Sequence, residues 1–241
     1  MLFSNMIKTF SFLLFSLTIF ISLSGCKYGK AHNQKQDIKE FEGIITYHEV
    51  LKNSDSLLNV DDTVKVFYAH GNYVGVHSEA SEKFHLVKNY YFEDKPLRLL
   101  LFNNSDTLYQ MSLNFPIEKL EHFKVIKINN QVLSKQCERI DLSTSYAEKD
   151  SVTYSDFSFI FSRGYLNVNK AHFKNWNLGY FNKVINESGT LYLGFKAVHF
   201  DSSHKHILSV KTYDVISVKE QPVDPKIFEI DPSMIKELNN R

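Results

Sequence analysis

The sequence predicts a mainly β protein: a curled antiparallel sheet, or half-barrel, with an amphipathic helix against its concave face. Between residues 41 and 231, short β-prone runs alternate with polar turn clusters at regular spacing, which is typical of a meandering antiparallel sheet. One stretch around Trp176 instead carries apolar residues three or four positions apart, as on one face of a helix. A sheet that curls around this helix buries the apolar faces of both.

Alternation and turn residues place the individual strands. In residues 41–47 an apolar residue or glycine stands at every second position, so one face of that strand is predicted to be buried. Gly71-Asn72 separates two β-prone runs and suits a tight hairpin. Further strands are predicted about polar clusters: residues 97–102 and 107–111 about 103–106, residues 123–128 and 131–142 about Asn129-Asn130, residues 152–161, and residues 191–200 and 206–218 about 201–203.

Two segments are predicted to be helical. The first has lysines between its apolar positions, and Asn169 suits its N-cap. Gly179 costs about 1 kcal/mol relative to alanine inside a helix, which favours an interruption there. The second segment is Pro232 to Asn239, with Asp231 as N-cap and Pro232 at its first position. The apolar positions of the first helix are Phe173, Trp176, Tyr180, Phe181 and Val184.

Four aromatic residues of the first helix are the candidate lining of an apolar-ligand site. They are Phe173, Trp176, Tyr180 and Phe181. Sites for small apolar molecules are concave and lined by such side chains, so these residues are suited to contact an acyl chain. The alternative is ordinary packing of a helix on a sheet. That alternative is favoured at this point, because the 29 aromatic residues that follow the signal peptide can fill a core without a ligand.

Residues 1–25 are predicted to be an export signal peptide. Lys8 is their one charged residue, and the apolar run after it has about 14 residues, fewer than the roughly 20 of a membrane-spanning helix. The run ends in Leu23-Ser24-Gly25-Cys26, which resembles the lipobox of bacterial lipoproteins. The resemblance implies cleavage after Gly25 and diacylation of the Cys26 thiol. The chain is therefore expected to attach to a membrane through its N-terminal lipid.

Three segments are expected: the signal peptide (residues 1–25), a flexible polar tether (residues 26–40) and one β-rich domain (residues 41–241). Of the 28 basic residues the signal peptide contains one, and it contains none of the 27 acidic residues. The remaining chain is therefore balanced in charge, which argues against a nucleic-acid partner. Cys137 is then the one free thiol, and a buried apolar role is favoured over a reactive one.

The residues after Cys26 also bear on localisation. Surface-displayed lipoproteins of Bacteroidetes resemble one another in carrying acidic residues directly after the lipidated cysteine. Here no acid occurs before Asp37. The side of the outer membrane that faces the periplasm is therefore the expected location. The same type of bacterium O-glycosylates tripeptides of Asp, Ser or Thr, and an aliphatic residue, and four matches occur at predicted turns: Ser56, Thr63, Thr107 and Ser151.

No catalytic signature occurs in the sequence. The nucleophile elbow, the P-loop and the dinucleotide fingerprint are all absent from it. His48-Glu49 begins like a zinc-protease motif, but Lys52 stands where the second histidine is required. The chain is therefore predicted not to be an enzyme and to need no cofactor.

Clusters of histidines and carboxylates allow a weaker, metal-dependent alternative. A hairpin could bring His199, Asp201, His204 and His206 together as three imidazoles and a carboxylate. A solvated hairpin tip is favoured, because an exposed turn provides no second shell to orient the rings. His70, His77 and the pair Asp61-Asp62 are likewise expected to be solvated at an exposed hairpin or loop, without an acid–base role.

Several short segments of the domain are similar to those of Bacteroidetes secreted and lipoprotein domains, which distantly resemble the outer-membrane lipoprotein carrier and receptor fold. These segments are residues 41–47, the strand around Cys137, residues 165–169 leading to Trp176, and residues 222–230. The resemblance implies a half-barrel able to hold an apolar or acyl ligand, and it implies no enzymatic activity.

These observations favour a non-enzymatic, lipid-anchored binding or scaffold protein of the cell envelope. It is expected to accommodate a lipid or other apolar ligand between sheet and helix. The first alternative is a structural subunit of an envelope complex that binds a protein partner with its outer face. A metal-dependent hydrolase that uses His199–His206 is the weaker alternative. An apolar cavity beneath Trp176 favours the first of these functions, whereas a filled core favours the second.

Overall fold

The computed structural model describes residues 39–54, 59–78, 86–95, 97–103, 105–113, 118–148 and 151–237. They belong to one contact unit, Ile38–Arg241. The predicted signal peptide, Cys26, most of the tether and Ser56 lie outside the described residues. Within the described ranges, no helix combines the length and the apolar composition needed to cross a bilayer.

The predicted mainly β architecture is confirmed, because twelve strands form one open sheet in the described part of the chain. Neighbouring strands are antiparallel, except for the parallel pair β12 and β6. The order across the sheet is β12-β6-β5-β4-β3-β2-β1-β11-β10-β9-β8-β7. The strands are β1 (Gly43–Asn53), β2 (Val60–Ala69), β3 (Asn72–His77), β4 (Leu86–Tyr91), β5 (Leu97–Phe102), β6 (Leu108–Ser112), β7 (Glu118–Val132), β8 (Lys135–Glu148), β9 (Ser151–Phe161), β10 (Gly194–Phe200), β11 (Ile207–Glu220) and β12 (Ile235–Glu237).

The sheet curls around its main hydrophobic core. The predicted alternation in β1 is confirmed, since Gly43, Ile45, Tyr47 and Glu49 are buried while the residues between them are half-buried. Cross-strand pairing continues this face into β2, where Val64 lies opposite Tyr47. Side chains from strands near both edges of the sheet and from the helical residues 173–185 share this one core. This arrangement requires a curved sheet.

The helix predicted against the concave face is present, but it is short. It consists of two 3₁₀ turns, Lys170–Phe173 and Leu178–Tyr180, followed by α1 (Phe181–Ser188). The predicted cap is confirmed: the Asn169 side-chain oxygen accepts a hydrogen bond from the Ala171 N–H at 3.1 Å. The predicted interruption at Gly179 is also confirmed, because Gly179 and the following residue have φ of 58° and 54°. We call residues 169–188 the helical segment.

Polar contacts hold the start of the helical segment against the sheet. His172 Nδ1 lies 3.1 Å from Glu40 Oε1, and its Nε2 lies 3.0 Å from Glu93 Oε2. The Tyr91 hydroxyl donates a hydrogen bond to the His172 carbonyl oxygen. Gly71, with φ of 80°, allows this close approach, because a Cβ there would lie 2.6 Å from the His172 ring.

A second, smaller core lies on the other face of β3 to β6. Its buried members are Val74, Tyr90, Leu99 and Leu108, and the C-terminal residues 227–235 pack against them. The predicted C-terminal helix is wrong. Asp231 does cap a turn, Pro232–Met234, but the chain then continues as β12, with Ile235 opposite Leu108. Pairing with the sheet edge and apolar packing outweigh a local helical preference there.

One predicted turn is also wrong. Strand β7 continues through Asn129-Asn130, where its pairing with β8 shifts register between Lys127 and Gln131. The hairpin turn is formed instead by Leu133 and Ser134, whose φ angles are 49° and 60°. Two successive positive φ angles are the geometry of a type I′ turn. The asparagines, which tolerate positive φ, therefore lie at a bulge and not at the chain reversal.

Candidate functional site

A cavity of about 300 Å³ lies between the concave face of the sheet and the helical segment. Ligand sites for small molecules begin at about this volume. Strands from both halves of the sheet and the helical segment contribute to its walls. A large part of the wall is aromatic and includes Phe157, Phe159, Phe173, Trp176, Phe181, Tyr192 and Phe195. The space is therefore a partly open, mainly apolar chamber between the sheet and the helical segment.

The candidate lining residues are only partly brought together. Phe173, Trp176 and Phe181 lie along the cavity, whereas Tyr180 is not among its lining residues. The Tyr180 hydroxyl donates a hydrogen bond to the Glu118 carbonyl oxygen at 2.7 Å and accepts one from the Leu120 N–H at 3.0 Å. The left-handed backbone of Tyr180 directs its side chain to β7, away from the face that an uninterrupted helix would give it.

The aromatic wall is held rigidly by ring contacts. Phe173 is fully buried, and its ring is stacked on Tyr68 and Tyr91 with centroid distances of 6.1 and 5.8 Å. The centroid of the Trp176 ring lies 4.7 Å from the ring centroids of both Tyr91 and Phe181. Such pairs stabilise the fold beyond the area that they bury. Phe173 is thus mainly a core residue, whereas Trp176 presents a fixed indole surface to the cavity.

Tyrosines form the more polar part of the wall. Tyr47, Tyr73 and Tyr213 line the cavity together with Tyr192. The Tyr47 hydroxyl donates a hydrogen bond to the Tyr192 carbonyl oxygen at 2.7 Å. Burial raises the pKa of all four phenols, that of Tyr73 to about 12. These hydroxyls are therefore neutral hydrogen-bonding groups at physiological pH.

A buried ionic cluster lies beside the tyrosines. Lys211, which lines the cavity, places its Nζ 2.6 Å from Glu49 Oε1. His77 Nδ1 lies 3.1 Å from Glu49 Oε2 and 3.5 Å from Asp62 Oδ2. Burial acts to raise the pKa of Glu49, but the hydrogen bonds and charges of His77 and Lys211 outweigh it and lower that pKa to about 2. Glu49 is therefore ionised.

The position of this cluster corrects two expectations. Asp62 and His77 were expected to be solvated, yet both side chains are buried. Strand β2 begins at Val60, so Asp62 lies opposite Glu49 within the sheet and not in a loop. His77 lies at the end of β3 away from the turn, on the concave face. His70, at the turn itself, and Asp61 are exposed as expected, with 78 % and 77 % of their side chains accessible.

The His199 group does not assemble into a metal site. His199 lines the cavity, and its Nδ1 lies 2.8 Å from the Ser155 hydroxyl oxygen. Burial lowers its pKa. His204 and His206 lie at the exposed hairpin, with His204 stacked on Tyr154 and His206 3.9 Å from Asp201. In the described part of the chain, no group of three or more His, Cys, Asp or Glu residues is arranged to hold a metal ion.

The other candidate positions have ordinary surroundings. Cys137 is buried, as predicted, and burial raises the pKa of its thiol. Thr63 was expected in a turn but lies within β2. Thr107 is buried, which opposes its glycosylation in the folded chain. Ser151, the first residue of β9, is exposed.

Arg98 and Asn89 are lining residues that the sequence interpretation missed. A signal for Arg98 was available, since it is the one charged residue in the strongly apolar run Leu97–Phe102. Such a residue lies on one face of a strand and needs a polar environment there. The Asn89 signal is weaker, because a single asparagine in a strand has no distinctive neighbours.

Comparisons with known proteins add no assignment. No protein-family model matches the chain, and no curated protein matches it. The resemblance to the lipoprotein carrier and receptor fold therefore stays a prediction from the sequence. The function is inferred from the geometry of the cavity.

Proposed function

We propose that the chain is a non-enzymatic, lipid-anchored binding protein of the cell envelope that holds an apolar or acyl ligand between sheet and helical segment. The cavity of about 300 Å³ with its aromatic wall carries this proposal. Sites for small molecules are concave and lined mainly by apolar and aromatic side chains with a few polar groups, as this cavity is. Apolar walls favour an apolar occupant, because its transfer from water is favourable.

The predicted anchor supports the same function. Lipid on Cys26 and the tether of residues 26–40 would hold the domain close to a membrane, which is a source of acyl chains. The expected location is the periplasmic side of the outer membrane. The cavity favours ligand binding over a structural subunit, since a subunit that binds a partner with its outer face needs no apolar cavity on its concave side.

Native mass spectrometry of the full chain, purified from its membrane, tests the proposal. We expect a non-covalent adduct with the mass of an acyl-containing molecule, in addition to the covalent lipid. Ala197 is buried and lines the cavity, so Ala197→Phe places a ring inside it. This variant is expected to lose the adduct. Ala147, which is exposed on β8, gives the matched control: Ala147→Phe should keep it.

The two variants separate ligand loss from misfolding. Both must retain a cooperative thermal transition for the comparison to count. If Ala197→Phe is too unstable, Ala197→Leu adds less volume and serves in its place. An adduct that is equally abundant in the wild type and in a folded cavity-filled variant would contradict binding at this site. A wild-type chain without any adduct, and without binding of added fatty acid, would contradict the proposed function itself.

A further inference from the structure

Arg98 is a half-buried cation without a carboxylate partner in the described part of the chain. Its guanidinium carbon lies 6.0 Å from the centre of the Trp176 ring. The other two described arginines are paired, Arg139 with Asp141 and Arg163 with Glu138 and Glu187. A guanidinium presents a rigid fork of donors that matches a carboxylate or phosphate. Arg98 is therefore free to bind an anion inside the cavity.

The other cation of the cavity lining does not compete for that anion. Lys211 also lines the cavity, but its Nζ is 2.6 Å from Glu49 Oε1 and is neutralised by it. The charge of Arg98, by contrast, reaches the tyrosine wall. Burial raises the pKa of Tyr73 to about 12, and the positive charge of Arg98 acts against this rise. The same charge acts on Tyr192 and Tyr213. The other charged residues of the lining are Lys211 and Glu118, and Arg98 is the one cation of the lining without an ion pair among the described residues.

The cavity lining has a second polar group. The Asn89 side chain is 95 % buried and lines the cavity, and its Oδ1 has no hydrogen-bond partner among the described residues. A buried amide oxygen that stays unpaired is unfavourable, so a ligand that donates a hydrogen bond to it is favoured. Gly75 makes room for this side chain, because a Cβ at position 75 would lie 2.6 Å from Asn89 Oδ1. Asn89 is suited to contact a ligand that carries a hydrogen-bonding headgroup.

We propose that the ligand is a single-tailed amphiphile with an anionic headgroup, bound by Arg98 and Asn89, with its tail along the aromatic wall. The inference rests on the proposed function and adds the chemical class of the ligand. A fatty acid and a monoalkyl phosphate share this chemistry. The headgroup meets Arg98, and the tail contacts Trp176 and Phe181, which line the same chamber. A neutral amphiphile would leave the guanidinium without an anion.

Trp176 is the only tryptophan of the chain, so its fluorescence reports on this cavity alone. The full chain in nanodiscs is titrated with 11-bromoundecanoate, 11-bromoundecyl phosphate and 11-bromoundecanol, whose bromine quenches nearby indole. We expect at least one of the two anions to quench at about tenfold lower concentration than the alcohol, since a charge-assisted hydrogen bond is lost in the latter. The better anion identifies the headgroup.

Variants of Arg98 decide the inference. Arg98→Gln should raise the Kd of the anion about tenfold or more and leave the Kd of the alcohol within twofold. Arg98→Lys keeps the positive charge but not the forked guanidinium, so its Kd for the anion should lie between those of the wild type and Arg98→Gln. Arg139→Gln removes a paired arginine on β8 and should change neither Kd. If Arg98→Gln fails to fold, an increased Kd for the anion in Arg98→Lys supports the inference, and an unchanged Kd overturns it.

The possible failures are distinguishable. Equal quenching by anions and alcohol, unchanged in Arg98→Gln, would overturn the anionic headgroup and leave the apolar-ligand proposal standing. Absence of quenching by all three compounds would overturn both. Quenching by the anions that Arg98→Gln and Arg139→Gln weaken equally would show a general surface-charge effect and would also overturn the assignment to Arg98.

Discussion

His77 Nδ1 lies 3.1 Å from Glu49 Oε2, and both side chains are more than 90 % buried. Asp62 and Lys211 complete the cluster, so four strands, β1, β2, β3 and β11, each contribute one ionisable side chain. A buried carboxylate such as Glu49 is costly unless it retains its partners. A shift of one residue in any of these strands would turn its ionisable side chain to the other face. The cluster therefore stabilises one register of the sheet beside the cavity.

Replacing Glu49 should be strongly destabilising. Glu49→Gln removes the partner of both Lys211 and His77, and breaking a buried pair in this way costs about 3–5 kcal/mol. Urea unfolding at neutral pH measures the loss. Asp61→Asn is the matched control, because Asp61 pairs with His48 at 2.7 Å on the exposed surface, where a pair contributes about 1 kcal/mol or less. Equal effects of the two substitutions would contradict the role of the buried cluster.

The same cluster predicts a specific acid sensitivity. The pKa of Glu49 is about 2 in the folded chain, against about 4.3 for an unfolded glutamate. Because the folded pKa is the lower one, the stabilising contribution is complete above about pH 4.3 and is lost as the pH falls towards 2. The free energy of unfolding should therefore fall more steeply over this window in the wild type than in Glu49→Gln. Parallel pH curves for the two proteins would refute this.

A glycine next to the cavity gives a packing prediction. Gly75→Ala places a Cβ 2.6 Å from Asn89 Oδ1, so the buried asparagine must move. Overpacking of this kind costs about 1–3 kcal/mol. The double variant Gly75→Ala, Asn89→Ala removes the clash and should recover most of the loss. A double-mutant cycle by urea unfolding measures this coupling, and additive effects would show that the two side chains do not compete for space.

Removing the Tyr180 hydroxyl should lower the stability of the fold without changing ligand affinity. Its hydroxyl connects the helical segment to β7 through the Glu118 carbonyl and the Leu120 N–H. Tyr180→Phe removes both hydrogen bonds and should cost about 1–3 kcal/mol, while ligand affinity stays within twofold, because the side chain does not line the cavity. Phe181→Ala, which opens the cavity wall, should weaken binding. Loss of ligand affinity in a folded Tyr180→Phe variant would show instead that Tyr180 belongs to the ligand site.

The sequence sufficed for the architecture because periodicity reports which face of an element is buried. The alternation in β1 and the spacing around Trp176 predicted the sheet, the helix and three of the aromatic residues that line the cavity. The sequence was insufficient where contacts between distant residues determine the structure. Asp62 and His77 look like loop residues in sequence, and only the pairing of β1, β2 and β3 brings them to Glu49. The direction of Tyr180 likewise depends on one positive φ angle that spacing does not reveal.

The most direct test of ligand binding in the cavity is an intermolecular nuclear Overhauser measurement on the deuterated full chain in nanodiscs of deuterated lipid, with protonated undecanoate added. Trp176 gives the one indole N–H resonance of the chain. We predict Overhauser contacts between this proton and the methylene protons of the ligand, and their disappearance in Ala197→Phe. Contacts only to the backbone N–H protons of exposed residues such as Ile216, which is 52 % accessible, with none to Trp176, would contradict a ligand-binding cavity.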